Sequence, residues 1–527
     1  MMVDTPWMER VSAVARNHPD RPAVIGTGDN EKVLTYEDVE RAVRRTSRQL
    51  TAMGVTPGDV VTLQMPNWWQ LAVLTLAVWQ CGAVACPVLP GFGVRELTYI
   101  LNESRSPLWV VPEHFGRQDW PQFVEDVRTQ TPSLTRAAFI SGGRDESVLP
   151  SDVVPTPDPP ALAAGDLDAW AELMFTSGTT GQPKGVVHTH RTLWEALRAH
   201  VDGFQLTVDD RVFVPSPMAH QTGFLYGMLL ALFLETTGVY LPRWNARAAV
   251  EVITRYHARF TQAALPFLAD LAADPGQPRL SLFVATGSDI PPAVVQRAIP
   301  KVARRVVRAW GSTETGLATG ATFAGATEKE WTTDGRPLAG MRVEVVDDQK
   351  RQVPPSTIGH FRVRTPGMFV TYWNRPQWYQ AAVDEEGFFE TGDLAALDPE
   401  GYVRIMGRAR DLINRGGEKI PVVEVEALLL QAPKVADASV VGLPDPRLGE
   451  RACAMVVPTS MDDPPTLAEL VHFLEQKGMA KIYWPESLCN VAELPRTASG
   501  KVQKHLLKEM ASTREVASDG RLQPDGR

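Results

Sequence analysis

Along the first three hundred residues, apolar runs and polar breaks alternate in a way that predicts a repeating strand–helix order. Thr35-Tyr36-Glu37-Asp38 has the form of a capping box, and Val39, Val43, Leu50 and Met53 then recur near helical spacing until Gly54 stops them. Val60 to Met65 is apolar enough for a buried strand, and Asn67 is placed to cap a very apolar helix ending near Gly82. Val84 to Leu89 gives the next strand, a helix follows from about Val94, and Leu108 to Val111 gives another strand. The same order continues to about residue 310, which implies parallel sheets covered by helices. Pro150 to Pro160 interrupts it as a Pro/Asp-rich surface connector. From Met341 the runs shorten, and Arg342 to Asp347, His360 to Thr365 and Tyr402 to Met406 alternate as antiparallel strands do. After Gly407 a second block begins, with a helix from about Val422, strands near Ala438 to Gly442 and Ala452 to Val457, a helix from Leu467 to Lys477, and a last helix after Gly500. The expected fold class is α/β. Residues 1–408 form a large N-terminal domain of parallel sheets covered by helices plus a small β-barrel-like part, and residues 411–527 form a small α+β C-terminal domain.

The bulk numbers agree with that division. At 527 residues the chain exceeds one ordinary core. Hydrophobic content of 44% and charged content of 22% suit a globular protein. A net charge of −9 gives no general attraction for nucleic acid or an anionic membrane, so a phosphate ligand would have to be held locally. Cys81, Cys86, Cys453 and Cys489 show no metal-ligand pairing, and Cys81 and Cys86 lie in an apolar stretch as buried thiols, which fits a reducing cytoplasm. The N-terminal residues lack an apolar signal core, and the longest apolar run, Phe224 to Leu234, is too short to span a bilayer. No repeat is visible, and the polar tail from Ser512 to Arg527 is expected to fray.

Five short stretches carry candidate chemistry. Residues 176–185, TSGTTGQPKG, follow the apolar run Leu173-Met174-Phe175 and pack hydroxyls, glycines and Lys184 into one loop. Such a loop offers N–H and O–H donors with a balancing cation, as a polyphosphate cradle requires, although the same composition also serves in flexible surface loops. It is not a Walker loop, since Pro183-Lys184-Gly185 stands where Gly-Lys-Ser/Thr would be. Residues 310–316, WGSTETG, follow the buried run Val306 to Ala309. There Trp310 could stack on a base, Thr313 donate to a phosphate and Glu314 hold Mg2+, or the stretch could simply start a capped helix. Residues 390–394, ETGDL, place Asp393 after a glycine turn, where a carboxylate can accept both ribose hydroxyls. Residues 405–417, IMGRARDLINRGG, put three cations and two adjacent glycines at the domain join, and residues 494–501, LPRTASGK, end in Lys501. Each of these also has an ordinary reading as a turn or a solvated loop.

In this order and spacing the five stretches resemble the adenylate-forming (AMP-binding) superfamily of acyl-CoA synthetases, adenylation domains and luciferases, over nearly the whole chain. The resemblance implies that Thr176, Ser177, Gly178, Thr179, Thr180 and Lys184 close over the β- and γ-phosphates of ATP. It gives Thr313 the α-phosphate, Glu314 the Mg2+, Trp310 and Gly311 the adenine edge, and Ala285, Thr286 and Gly287 the backbone lining of the adenine and acyl pocket. Asp393 matches the ribose carboxylate, Arg408 a ribose or phosphate partner, and Lys501 the lysine bridging the substrate carboxylate and the α-phosphate. Arg410 matches the hinge, at 409–411, about which a mobile C-terminal domain swings. Asp or Lys usually stands there, so Arg is a departure. Gly416 and Gly417 match the glycines past which the pantetheine arm of coenzyme A moves.

The implied activity is activation of a carboxylic acid to an acyl-adenylate with pyrophosphate release, followed by transfer to coenzyme A. Residues 217–224, PMAHQTGF, resemble the acyl-pocket segment, with His220 at a gating position and Gln221 where amino-acid-activating domains carry aspartate. A neutral Gln221 leaves a substrate ammonium unpaired, so an α-amino acid is not expected. Thr222, Gly223 and Phe224, with Ala285 and Gly287, suggest an apolar pocket of the medium-chain or cyclohexanecarboxylate type. An aryl acid of the benzoate or hydroxybenzoate kind is the alternative, delivered to coenzyme A or to a carrier protein. A catalytically inactive nucleotide-binding regulator would keep the fold, but Glu314, Asp393 and Lys501 together argue against it. Either a monomer or a homodimer is compatible with the sequence.

Overall fold

The computed structural model describes residues 7–142, 148–149, 166–176, 183–286, 292–299, 301–320, 328–409, 413–415, 418–420, 422–496 and 502–517. The chain divides into two compact units, residues 1–343 with 363–389, and residues 344–362 with 390–527.

Two seven-stranded sheets form the first unit. One runs in the order Ala303–Arg308, Leu280–Ala285, Phe260–Ala263, Val212–Val214, Gly238–Tyr240, Pro22–Gly26 and Lys32–Thr35, parallel except for its last pair. The other runs Thr371–Tyr372, Lys184–Thr189, Trp170–Thr176, Val84–Pro87, Val60–Leu63, Leu108–Pro112 and Arg136–Ile140. Its strands from Trp170–Thr176 onward are parallel, and its first two junctions are antiparallel. The predominantly apolar strands Val60–Leu63, Val84–Pro87 and Leu108–Pro112 are buried along their whole length, as expected for strands covered on both faces. Between the sheets lies one large core joining Val24, Val214 and Tyr240 of the first sheet to Val61, Leu63 and Met174 of the second. Separate clusters cover each sheet's other face, one around Phe213 and Phe283, the other around Trp109 and Leu173.

Local signals explain the helices. Thr35 and Asp38 form the expected capping box of helix Tyr36–Ala52, which buries Val39, Val43 and Leu50, and Gly54 follows its end at φ +88°. Helix Trp69–Gln80 is buried on nearly all sides, which its predominantly apolar sequence allows. Asn67 does not cap it, contrary to expectation, since the N-cap is Trp68. The Asn67 amide instead donates to Ser216 O at 2.8 Å, and its oxygen accepts from Met218 N at 2.8 Å. It ties the start of this helix to the segment leading into His220.

A four-stranded sheet, most of whose residues belong to the second unit, runs Arg342–Val346, Gly359–Arg364, Phe389–Leu397 and Val403–Arg408. The long strand Phe389–Leu397 replaces the turn expected around Asp393. Beyond it, the strands Val435–Asp445 and Gly449–Pro458 make an antiparallel hairpin, with Ser487–Asn490 added in parallel and the helices Val422–Leu429, Leu467–Gln476 and Lys504–Ala517 packed alongside. Glu426 accepts from Ser439 Oγ and Val440 N and pairs with Lys504 Nζ at 2.8 Å, linking two of those helices to the hairpin. All four cysteines are buried and unbridged. Among the described residues, no helix is long and apolar enough to cross a membrane.

Candidate active site

The TSGTTGQPKG stretch bridges two antiparallel strands, not a strand and a helix. Thr176 ends Trp170–Thr176, Lys184 opens Lys184–Thr189, and the two are cross-strand partners. The ladder therefore fixes both ends of the loop, while Ser177, Gly178, Thr179 and Thr180 lie outside the described residues. Gly185 has a steric reason for its identity, because a Cβ there would stand 2.9 Å from Leu173 Cδ1 and 3.0 Å from Trp373 Cβ.

WGSTETG is a β-hairpin and does not begin a helix. Trp310–Ser312 pairs antiparallel with Gly316–Gly320, and Thr313, Glu314 and Thr315 form the turn. Two glycines permit it. Gly316 adopts φ +63°, and a Cβ on Gly311 would lie 2.4 Å from Gly316 O. Thr315 Oγ1 accepts from Ser312 N at 3.2 Å, and Thr365 Oγ1 donates to Thr315 O at 2.8 Å. His188, fully buried, reaches Thr313 O from Nε2 at 2.7 Å and Thr192 Oγ1 from Nδ1 at 2.9 Å. Burial pushes its pKa down to about 4, so the ring is neutral, and only a proton on Nε2 can serve the carbonyl.

These two stretches meet through residues that their own motifs do not contain. The strand Thr371–Tyr372 pairs with Lys184–Thr189, Trp373 N donates to Gly185 O at 2.7 Å, and Phe369 N donates to Glu314 O at 2.8 Å. The Tyr372 hydroxyl donates to Glu314 Oε1 at 3.1 Å, and burial with the Glu314 charge holds the phenol in its protonated form. Lys184 Nζ sits over the Tyr372 and Trp378 rings, 5.1 and 5.3 Å from their centroids. Glu314 is only partly buried, and its Oε2 has no hydrogen-bond partner among the described residues. A hard divalent cation takes carboxylate oxygens of this kind, so the donor fits Mg2+.

Parallel strand ends supply the next wall. Ala309 N donates to Ala285 O at 3.0 Å and Thr286 N to Ala263 O at 3.1 Å, so Ala285 and Thr286 lie beside the start of the Trp310 hairpin. Gly287 is outside the described residues. His220 Nδ1 accepts from Thr222 N at 3.4 Å and caps the short turn Gln221–Gly223. Gln221 Nε2 donates at 2.6 Å to Glu172 Oε2, a fully buried carboxyl four residues before Thr176 on the same strand. Burial pushes Glu172 up to about 8. A Cβ on Gly223 would lie 2.3 Å from Pro217 O and 2.4 Å from Ser216 O. Phe224 is fully buried edge-on to Trp79 and opens a π-helical turn, Phe224–Leu229.

In the second unit, Asp393 and Arg408 are cross-strand partners and form an ion pair at 2.7 Å, and Asp393 N donates to Thr391 Oγ1 at 3.0 Å. Gly392 takes φ +74° with open space around it. Arg410, Gly416, Gly417 and Lys501 lie outside the described residues. The flanks of the last, Arg496 and Val502, pair as an isolated bridge. Sequence reasoning missed His188, Glu172, Tyr372 and Trp378. Of these, Tyr372 and Trp378 belong to an aromatic-rich run, TYWNRPQWY, that could have drawn notice.

Comparison with known proteins identifies the family. The family model for AMP-binding enzymes matches residues 11–373, and the model for their C-terminal domain matches residues 424–501. A medium-chain fatty-acid–CoA ligase of Escherichia coli K12 is 33% identical over 94% of this chain and 88% of its own. A salicyl-AMP ligase/salicyl-S-ArCP synthetase of Mycobacterium tuberculosis is 31% identical over 94% and 89%. ATP-bound MatB from Rhodopseudomonas palustris shares the fold, with a TM-score of 0.82 at 24% identity, covering 95% of this chain and 98% of that one. The chain belongs to the AMP-binding enzyme family and is an adenylate-forming ligase.

Proposed function

We propose that the chain activates a medium-chain or alicyclic carboxylic acid with ATP and passes the acyl group to coenzyme A. The observation that carries this reading is the joining of Lys184 and Glu314 by Tyr372 beside the Thr313 turn. An ammonium, a carboxylate with a spare oxygen and a hydroxyl residue are what a nucleotide's anionic phosphates and their metal need at one place. Lys184 steadies the departing pyrophosphate, and Thr313 donates to the α-phosphate. Asp393 and Arg408 serve the ribose, and Lys501 neutralises the meeting carboxylate and α-phosphate. Mg2+, held by Glu314, would supply further charge neutralisation on the phosphates. Small-domain movement about Arg410 then exchanges Lys501 for Gly416 and Gly417, which let the thiol arm approach the acyl-adenylate.

Substrate choice rests on Gln221. Gln221 is neutral, and burial raises the Glu172 carboxyl that it contacts to about 8, so the position offers an ammonium no counter-charge at neutral pH. The surrounding segment supports an apolar acid, as does the name of the Escherichia coli relative. A second reading, an aryl acid delivered to coenzyme A or a carrier protein, is supported by the salicyl-AMP ligase relative at 31% identity. The test is a pyrophosphate-release screen over aliphatic, alicyclic and aryl acids, with and without coenzyme A. Medium-chain or cyclohexane-type acids should give the strongest release, with thioester formed when coenzyme A is present. Release only with hydroxylated aryl acids would overturn the substrate class.

A further inference from the structure

Lys184 and Glu314 carry opposite charges and contact the same phenol, yet among the described residues Lys184 forms no ion pair. The ammonium rests on the faces of Tyr372 and Trp378, while the Tyr372 hydroxyl occupies Glu314 Oε1. Tyr372 is firmly held in that position. Its main chain pairs with Val186 in the sheet, and its ring packs edge-on against Phe369, with centroids 4.8 Å apart. The residues around it are bonded to both chemical stretches, Phe369 N to Glu314 O and Trp373 N to Gly185 O. A partly buried ammonium and carboxylate with nothing between them would pair directly and consume each other. A phenol avoids this, since its ring face attracts the cation and its hydroxyl hydrogen satisfies the anion.

We propose that Tyr372 is a positioning residue that keeps Lys184 and Glu314 from pairing. The ammonium is thereby left ready to move onto an anionic phosphate, and the carboxylate ready to take a divalent cation. The proposal rests on the adenylate-forming reading of the site. It assigns the ring and the hydroxyl of Tyr372 separate effects, one on each ligand.

The test is equilibrium dialysis of ATP, without any acid, in excess EDTA and at saturating Mn2+. In Tyr372→Phe the ring remains and the hydroxyl is lost. ATP affinity in EDTA should stay at the wild-type value, while the gain in affinity conferred by Mn2+ should fall about tenfold, the usual effect of losing a hydrogen bond behind a metal ligand. In Tyr372→Leu, Lys184 collapses onto Glu314, so both the EDTA affinity and the Mn2+ gain should fall. Adding Lys184→Met to Tyr372→Leu removes the competing cation. The Mn2+ gain should then return to the Tyr372→Phe level while the EDTA affinity stays low. Wild-type behaviour of Tyr372→Phe under both conditions, or a double variant no better than Tyr372→Leu, would overturn the proposal. If the leucine variants do not fold, the Tyr372→Phe comparison decides alone. Failure of the wild-type protein to bind ATP under either condition would overturn the adenylate-forming reading instead.

Discussion

Glu172 is fully buried in the strand that ends at Thr176, accepts from Gln221 Nε2 at 2.6 Å, and leaves Oε1 without a partner among the described residues. Burial raises its carboxyl from an ordinary 4.5 to about 8. Between those values the folded chain keeps a proton that the unfolded chain releases. The stability contributed by this carboxyl must therefore fall as pH rises from about 4.5 to about 8, and the group contributes no slope on either side of the window. At ~1.4 kcal/mol per tenfold change in proton affinity, the window is worth on the order of 5 kcal/mol. Glu172→Gln keeps the shape and the Gln221 contact but cannot ionise, so it removes the slope. The assay is urea unfolding followed by tryptophan fluorescence, which reports the first unit because every tryptophan except Trp484 lies there. At pH 5 the variant and the wild type should unfold at the same urea concentration, and at pH 9 the variant should unfold at the higher one. An offset between the two proteins that does not change from pH 5 to pH 9 would refute the reasoning, because it would mean that Glu172 has the same charge throughout.

Two further outcomes follow from the same packing. Burial lowers His188 and His190 to about 4 and His200 to about 3, so all three are neutral in the fold. Below their ordinary 6.5 the unfolded chain takes up protons that the folded chain refuses, and stability is lost as pH falls from 6.5 toward 4. Three histidines outweigh the opposing Glu172 slope there, so the unfolding midpoint should drop across that range, and a flat midpoint would contradict the burial. Gly223→Ala places a Cβ against Pro217 O and Ser216 O and should cost about 1–3 kcal/mol in a denaturant titration. Because that turn carries His220 and Gln221, the KM for the acid should rise while the KM for ATP holds.

Much of the scaffold was legible because its strands are buried on both faces. Val60–Leu63, Val84–Pro87 and Leu108–Pro112 are apolar runs broken only by Thr62, and their helices carry ordinary start and stop signals. Where the structure departs from expectation, a distant partner decides. Asn67 has the chemistry of a cap but is recruited by Ser216 and Met218, about 150 residues away. Trp310 to Gly320 could have opened a helix, but Gly311 and Gly316 let it fold back as a hairpin onto Arg336–Pro337. Asp393 sits in a strand because Arg408 faces it across the ladder. The same cause hid Tyr372 and Trp378 from sequence reasoning. Lys184 lies nearly two hundred residues before them, and no local spacing connects an aromatic run to a lysine that far upstream.

The most direct test of the account concerns Lys501, assigned to the point where the acid meets the α-phosphate. Acid-dependent exchange of pyrophosphate into ATP reports the first half-reaction, and thioester formation from supplied acyl-adenylate and coenzyme A reports the second. Lys501→Ala should abolish the exchange and largely spare thioester formation. Equal loss of both steps, or exchange that survives the substitution, would contradict the assignment.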